Sequence, residues 1–93
     1  MANIIVKVTN ADYYDTVTVF VDGASYGKQK GNSTFEIAVA DGPHTIHAVY
    51  DNMEPDFAGI SHTLGPVAFS ASGTVQFEVK ISNIYAGGKF VQL

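Results

Sequence analysis

Residues 33–50, STFEIAVADGPHTIHAVY, carry two runs of apolar–polar alternation on either side of an Asp-Gly-Pro reversal. In the first run Phe35, Ile37 and Val39 share one face, against Thr34, Glu36 and Ala38. In the second, Ile46, Ala48 and Tyr50 share a face opposite Thr45, His47 and Val49. A period of two is the mark of a strand buried on one side, and Asp41, Gly42 and Pro43 supply the turn between the runs. Such strands need a second layer to cover their apolar side, so this stretch alone commits the chain to stacked or closed sheets.

The same grammar recurs along the chain. Residues 3–9 set Ile4, Val6 and Val8 on one face, residues 16–21 do so with Val17, Val19 and Val21, and residues 67–71 with Val67, Phe69 and Ala71. Residues 74–81 show the cleanest pattern, with Val75, Phe77, Val79 and Ile81 inward and Thr74, Gln76, Glu78 and Lys80 outward. Asp22-Gly23 favours a tight hairpin turn. The polar run ASYGKQK after it reads as a short edge strand, with Gly27 marking a bulge and Lys28 and Lys30 discouraging edge-to-edge pairing. Residues 51–66, DNMEPDFAGISHTLGP, read as an irregular connection of about 15 residues, longer than most, tucked against the body by Met53, Phe57, Ile60 and Leu64. About seven strands result, and no strand-helix alternation points to a doubly wound fold. The tail, residues 83–93, reads either as a final edge strand or as an extension that pairs with a neighbour's sheet.

The run Val19, Val21, Asp22, Gly23, then Phe35, Ile37, Val39, then Gly42, His44 and Ile46, resembles the V-x-V-D-G hairpin, strand and G-x-H-x-(I/V) succession of small bacterial immunoglobulin-like and PEGA-like β modules. The resemblance covers residues 17–50. It implies a role as a spacer or recognition module, and with the strand patterns above the chain reads as an all-β, immunoglobulin-like antiparallel sandwich of about seven strands, with residues 1–93 as one domain. It carries over no catalytic residues.

Composition narrows the function. Five lysines, no arginine and nine carboxylates give a formal charge of −4, which offers no positive field for nucleic acid. There is no cysteine for disulfides or thiolate metal sites, and no apolar run approaches the roughly 20 residues that cross a bilayer as a helix. The apolar run near the N-terminus is too short for a secretory leader, so the expected location is the cytoplasm, or the cell exterior if a leader has been removed. His44, His47 and His62 are the acid–base candidates near neutral pH. His44 and His47 point to opposite faces of a strand, and Ser61, Ser70, Ser72 and Ser82 lie in no nucleophile elbow. No enzyme activity is expected, and no cofactor beyond a candidate calcium ion.

Three sets of residues are candidates for binding. Asp51, Asn52, Glu54 and Asp56 lie within six residues, and with Asp12 and Asp15 from another loop they would supply the oxygen ligands that calcium takes. Tyr13, Tyr14, Tyr26, Tyr50, Phe57 and Tyr85 would form an aromatic surface for a glycan or a protein partner. Ile5, Phe20 and Val49 sit opposite the inward sets and, with Phe90, Val91 and Leu93 of the tail, form a candidate interface for a homo-oligomer. Asn32-Ser33-Thr34 also matches the N-glycosylation acceptor pattern, without independent support. The leading expectation is a non-catalytic structural or protein-interaction module that self-associates. The alternative is a small carbohydrate-binding domain that uses exposed tyrosines and calcium-stabilised loops.

Overall fold

The structure, a computed structural model, describes residues 1–57 and 60–93; the side chain of Phe57 lies outside what it describes. Among the described residues eight strands follow one another: β1 (Ala2–Thr9), β2 (Asp15–Val21), β3 (Ala24–Lys30), β4 (Ser33–Val39), β5 (Gly42–Asn52), β6 (Ser61–Ala71), β7 (Thr74–Asn83) and β8 (Gly87–Gln92), with a 3-10 turn at Pro55–Phe57. They form two four-stranded sheets, β4-β1-β7-β8 and β3-β2-β5-β6. Among the described residues no helix is long and apolar enough to cross a membrane.

The alternation read from the sequence decides which side chains fill the space between the sheets. Ile4, Val6 and Val8, Val17, Val19 and Val21, Phe35, Ile37 and Val39, Ile46, Ala48 and Tyr50, and Val75, Phe77, Val79 and Ile81 are all buried in one cluster. Register keeps each set on one side: Ile4 sits between Ile37 and Val75, and Val6 between Phe35 and Phe77. At Asp22-Gly23 both residues have positive φ, 51° and 83°, the backbone of a two-residue hairpin turn matched to strand twist. β3 is a sheet edge exposed along its whole length, and its register with β2 shifts between Thr18 and Phe20, beside Gly27.

Three features depart from the sequence reading. There are eight strands rather than about seven, because the tail pairs with β7 as β8 and lays Phe90 edge-to-face on Phe77 at 5.4 Å. The tail is therefore part of its own sheet in this chain. One pairing, β1 with β7, is parallel, so the sheets are not wholly antiparallel.

The long connection shrinks as well, since β5 runs on to Asn52 and β6 begins at Ser61. The reason is a bulge. Ile46 pairs with Val67 but Ala48 with Leu64, so Gly65 and Pro66 together stand opposite His47. The extra residue moves the inward positions from His62 and Leu64 to Val67, Phe69 and Ala71, which hides the alternation from a strict count of two. Gly65 has φ +92°, and a Cβ there would lie 3.2 Å from the Ile46 carbonyl, so the bulge requires glycine.

β1, β3, β5 and β7 run toward one end of the sandwich and β2, β4, β6 and β8 away from it. One end of the 42 Å long axis therefore gathers residues 10–14, Gly31-Asn32, the segment after Asn52, and the turn at residues 84–86. The other end gathers the Asp22-Gly23, Ala40-Asp41 and Ser72-Gly73 turns and both chain termini. If β8 completes the sheet, Phe90→Ala, which removes a partly buried ring, lowers urea stability by about 1–2 kcal/mol, short of the full worth of a wholly buried phenylalanine. A loss below about 0.5 kcal/mol, as at an ordinary surface site, would mark the tail as a loose extension.

Candidate functional site

The end built from residues 10–14, 31–32, 53–57 and 84–86 carries four of the exposed large apolar side chains: Tyr13 is 71% exposed, Tyr85 74%, Met53 55% and Tyr14 38%. Its width is set by the 19 Å cross-section of the sandwich, which brings side chains from separate loops onto one small surface. Tyr13 and Tyr14 meet edge to face at 5.1 Å, and the Lys30 ammonium lies 3.8 Å above the Tyr13 ring. The adjacent tyrosines are thus oriented against each other and against a cation.

Asx side chains brace each of these loops, within itself, against a neighbouring loop or against a strand end. Asp12 Oδ1 accepts the Tyr14 amide at 3.0 Å, Asn32 Oδ1 accepts the Ala11 amide at 2.8 Å, and Asn52 Oδ1 accepts the Glu54 amide at 2.9 Å. Asn83 Oδ1 accepts both the Tyr85 and Ala86 amides at 2.8 Å, while the Asn10 amide reaches the Ile81 carbonyl. A backbone bond also joins two loops, the Met53 amide donating to the Tyr14 carbonyl at 2.8 Å. Short polar side chains next to strand ends favour such local bonds to backbone groups.

Beneath this surface lies a buried polar knot. Asp15, 4% exposed, accepts the Tyr50 hydroxyl at 2.6 Å and the Asn52 amide at 2.9 Å on Oδ1, and the Asp12 amide at 2.9 Å on Oδ2. Burial, then the Asp15 carboxylate, push the Tyr50 phenol up to about 12, so it remains a donor at any physiological pH. His62, inward on β6, stacks on Tyr50 at 6.0 Å between centroids, and its Nε2 donates to the Ile84 carbonyl. A Cβ on Gly87 would lie 2.9 Å from that imidazole, so glycine there is what lets β8 close over the ring.

At the opposite end Asp22 and His44 meet. Nδ1 of His44 lies 2.6 Å from Asp22 Oδ2 and Nε2 lies 2.6 Å from the Ala40 carbonyl, so each ring nitrogen faces an acceptor, an arrangement that favours the protonated ring. Asp22 Oδ1 also accepts the Thr45 amide. The hydrogen bond to Asp22, with that to Ala40, raises the His44 pKa above 6.5, and the bonds from His44 and Thr45 lower that of Asp22 below 3.8. Two shallow depressions lie at this end. One of about 260 Å³ is lined by Asp22, Pro43, His44, Thr45, Ala68 and Phe69, and one of about 390 Å³ by Thr74, Val75, Gln76, Gln92 and Leu93.

The structure redistributes the expected sites. Of the six aromatic candidates, Tyr13, Tyr14 and Tyr85 share the loop end, and the Phe57 side chain lies outside the described residues. Tyr26 is exposed on the β3 edge, away from that end, and Tyr50 is a core residue with no exposed surface, because its strand parity turns it inward.

The six oxygen-bearing candidates for calcium diverge. Asp15 and Asn52 point inward to each other, Asp12 caps its own loop, Asp51 faces out toward Lys28 at 3.8 Å, and Asp56 lies in the exposed 3-10 turn beyond the Glu54 staple. Among the described residues no group of three or more His, Cys, Asp or Glu is placed to share a metal.

The apolar interface set divides too. Ile5 lies on one sheet, between Glu36 and Gln76, while Phe20 and Val49 lie on the other, so the three cannot form one patch. Phe90 packs on its own core, and Val91 and Leu93 remain exposed. Neither the Asp22–His44 pair nor the Asp15 knot was foreseen, although Asp22 and His44 both belong to the hairpin pattern already singled out.

No protein-family model matches this sequence, and no curated protein or solved structure matches it either.

The Asp22–His44 pair fixes a pH window. His44, its pKa raised in the folded chain, contributes stability that is full below pH 6.5 and lost as pH rises through the raised value. Asp22, its pKa lowered, contributes above pH 3.8 and loses that contribution as pH falls through the lowered value. Urea unfolding of the wild type therefore shows stability falling from pH 6 into the alkaline range more steeply than in His44→Gln. Parallel pH profiles for the two proteins would contradict the pairing.

Proposed function

We propose that this chain is a non-catalytic recognition module, an immunoglobulin-like sandwich that contacts a protein partner through its tyrosine-bearing loop end. The observation that carries the reading is the exposure of Tyr13, Tyr14, Met53 and Tyr85 on one surface whose loops are braced by side-chain hydrogen bonds. Leaving large apolar side chains in water forgoes the ~1.5–3 kcal/mol that burying each would yield, and tyrosine and methionine are enriched where such surface is buried by a partner. Loops fixed in advance lose little entropy on binding, so the exposed rings convert contact area into affinity efficiently. The histidines support a non-catalytic role. His44 and His62 have hydrogen-bonding nitrogens engaged with neighbouring groups, and His47 is stacked on Phe20 at 4.7 Å.

A second reading, a small glycan-binding domain, is favoured by the same tyrosines standing beside the polar side chains Asp12, Asn32 and Glu54. The two are separated by probing a peptide library and a glycan array with the wild type and with a triple variant, Tyr13→Ser, Tyr14→Ser and Tyr85→Ser. These positions are exposed, so the triple variant is expected to unfold within about 1 kcal/mol of the wild type. Peptide binding lost in the variant supports protein recognition, and glycan binding lost in it supports the second reading. Binding that survives in the variant would remove the loop end from either role.

A further inference from the structure

Each sheet leaves two strands with an open side, β4 and β8 in one and β3 and β6 in the other. An open side is a row of backbone N–H and C=O groups ready to pair with another strand, and proteins guard it with lysines, prolines, bulges or a covering element. Three of these edges are guarded. β3 shifts register beside Gly27 and carries Lys28 and Lys30. β6 is interrupted by the Gly65-Pro66 bulge, and β8 lies against β6, where His62 bonds the Ile84 carbonyl and fills the space beside Gly87. β4, STFEIAV, has no lysine, proline, glycine or bulge, and it pairs with β1 in unbroken register from Ser33 to Val39.

Two hydrogen bonds fix which groups β4 leaves open. The Asn3 amide donates to the Gly73 carbonyl, so Asn3, Ile5 and Lys7 direct their backbone groups toward β7, while Ile4 and Val6 direct theirs toward β4. Their partners Ile37 and Phe35 are thereby taken, and Thr34, Glu36 and Ala38 face the open side. Gln29 shows the same parity from outside the sheet, since its Nε2 reaches across from β3 to the Thr34 carbonyl at 3.3 Å. That exposed side-chain bond already fills one acceptor of the row, and His44 fills another at the Ala40 carbonyl. Between them, the N–H and C=O of Glu36 and Ala38 meet no partner among the described residues.

We propose that this edge pairs with the same edge of a second copy of the chain, β4 against β4, antiparallel about a two-fold axis. An open backbone row calls for an extended strand, and register favours a copy over an unrelated one. Because Thr34, Glu36 and Ala38 supply the bonds, antiparallel self-pairing sets even-numbered residues opposite even-numbered ones. With the axis at Ile37, Glu36 faces Ala38 and Thr34 faces Ala40 on the outer side. On the inner side Phe35 faces Val39, and Ile37 faces its own copy. These inner pairs are all apolar and continue the core, and the two Glu36 carboxylates meet only on the diagonal rather than directly opposed. The strand is thus its own complement, as a two-fold contact requires. Glu36 and Ala38 of each copy exchange their free backbone bonds, joining the two β4-β1-β7-β8 sheets into one. The other edges are guarded, so assembly stops at two. The axis turns one copy end for end, which points the two tyrosine-bearing loop ends in opposite directions.

Sedimentation equilibrium and amide hydrogen exchange followed by NMR, both on the full chain from micromolar to millimolar concentration, test the proposal. The wild type is expected to pass from monomer to dimer and stop there. Over the same range the Glu36 and Ala38 amides change from freely exchanging to protected, while those of Phe35 and Ile37 are protected throughout. Ala38→Pro deletes an amide that makes no bond in the fold, at an edge position where proline is tolerated. It raises the dissociation constant about tenfold or more, the worth of one bond lost from each copy. Ala38→Thr keeps the amide and dimerises as the wild type does. A monomer throughout the range overturns the proposal, as does growth beyond the dimer. So does a dimer whose Glu36 and Ala38 amides stay unprotected, one that Ala38→Pro leaves intact, or one that Ala38→Thr weakens as much as Ala38→Pro.

Discussion

The carboxylate of Asp15 holds together the parts of this molecule that hydrophobic alternation cannot. It begins β2 at the end of the core, buried, and accepts hydrogen bonds from the Tyr50 hydroxyl, the Asn52 amide group and the Asp12 backbone. A buried carboxylate is tolerated only when its acceptor sites are filled, and here the donors come from β5 and from the loop that precedes β2. Removing the acceptor would leave the Tyr50 hydroxyl and Asn52 amide unsatisfied at about 1–3 kcal/mol each. The same bonds fix where residues 10–14 leave the sandwich, and therefore where Tyr13 and Tyr14 stand.

The frame and the loops thus rest on different physics. Between the sheets, inward apolar side chains from seven of the eight strands exclude water, and register transmits each strand's parity to its neighbours. At the two ends, where apolar contacts run out, polar side chains close the structure. Asp15 and the asparagines do so at the loop end, and Asp22 with His44 ties the β2–β3 turn to the start of β5 at the other. The proposed recognition surface is an outcome of this division, since the rings that are not needed inside stand on loops that the polar bonds hold.

The sequence conveys the frame well because alternation is a local signal. Ile4 through Val8, Val17 through Val21 and Val75 through Ile81 lie inside as their spacing requires. It fails at β6, where Gly65 and Pro66 insert a residue and reverse the parity; with Met53, Pro55 and Gly59 nearby, the run reads as loop. It conveys the candidate site only in part. A carboxylate near a strand end reads alike whether it will bind a cation or accept a buried phenol, and only the β2–β5 register, which pairs Asp15 with Asn52, separates the two. Tyr50 is a related case: its parity places it inside, while its residue type alone suggests the surface. Ile5, Phe20 and Val49 share an outward parity, but membership of a sheet is a long-range property that parity does not encode.

The central claim is that the tyrosine-bearing end is held by Asp15 and its hydrogen-bonded neighbours and is therefore ready to bind before any partner arrives. Backbone 15N relaxation of the free protein tests this most directly. The account predicts order parameters near about 0.85 for the amides of Asp12, Tyr14, Met53 and Glu54, matching the strands, and values below about 0.6 for the same amides in Asp15→Ala. Values below about 0.6 at these amides in the wild type would contradict it, showing loops that move freely despite the bonds that tie them.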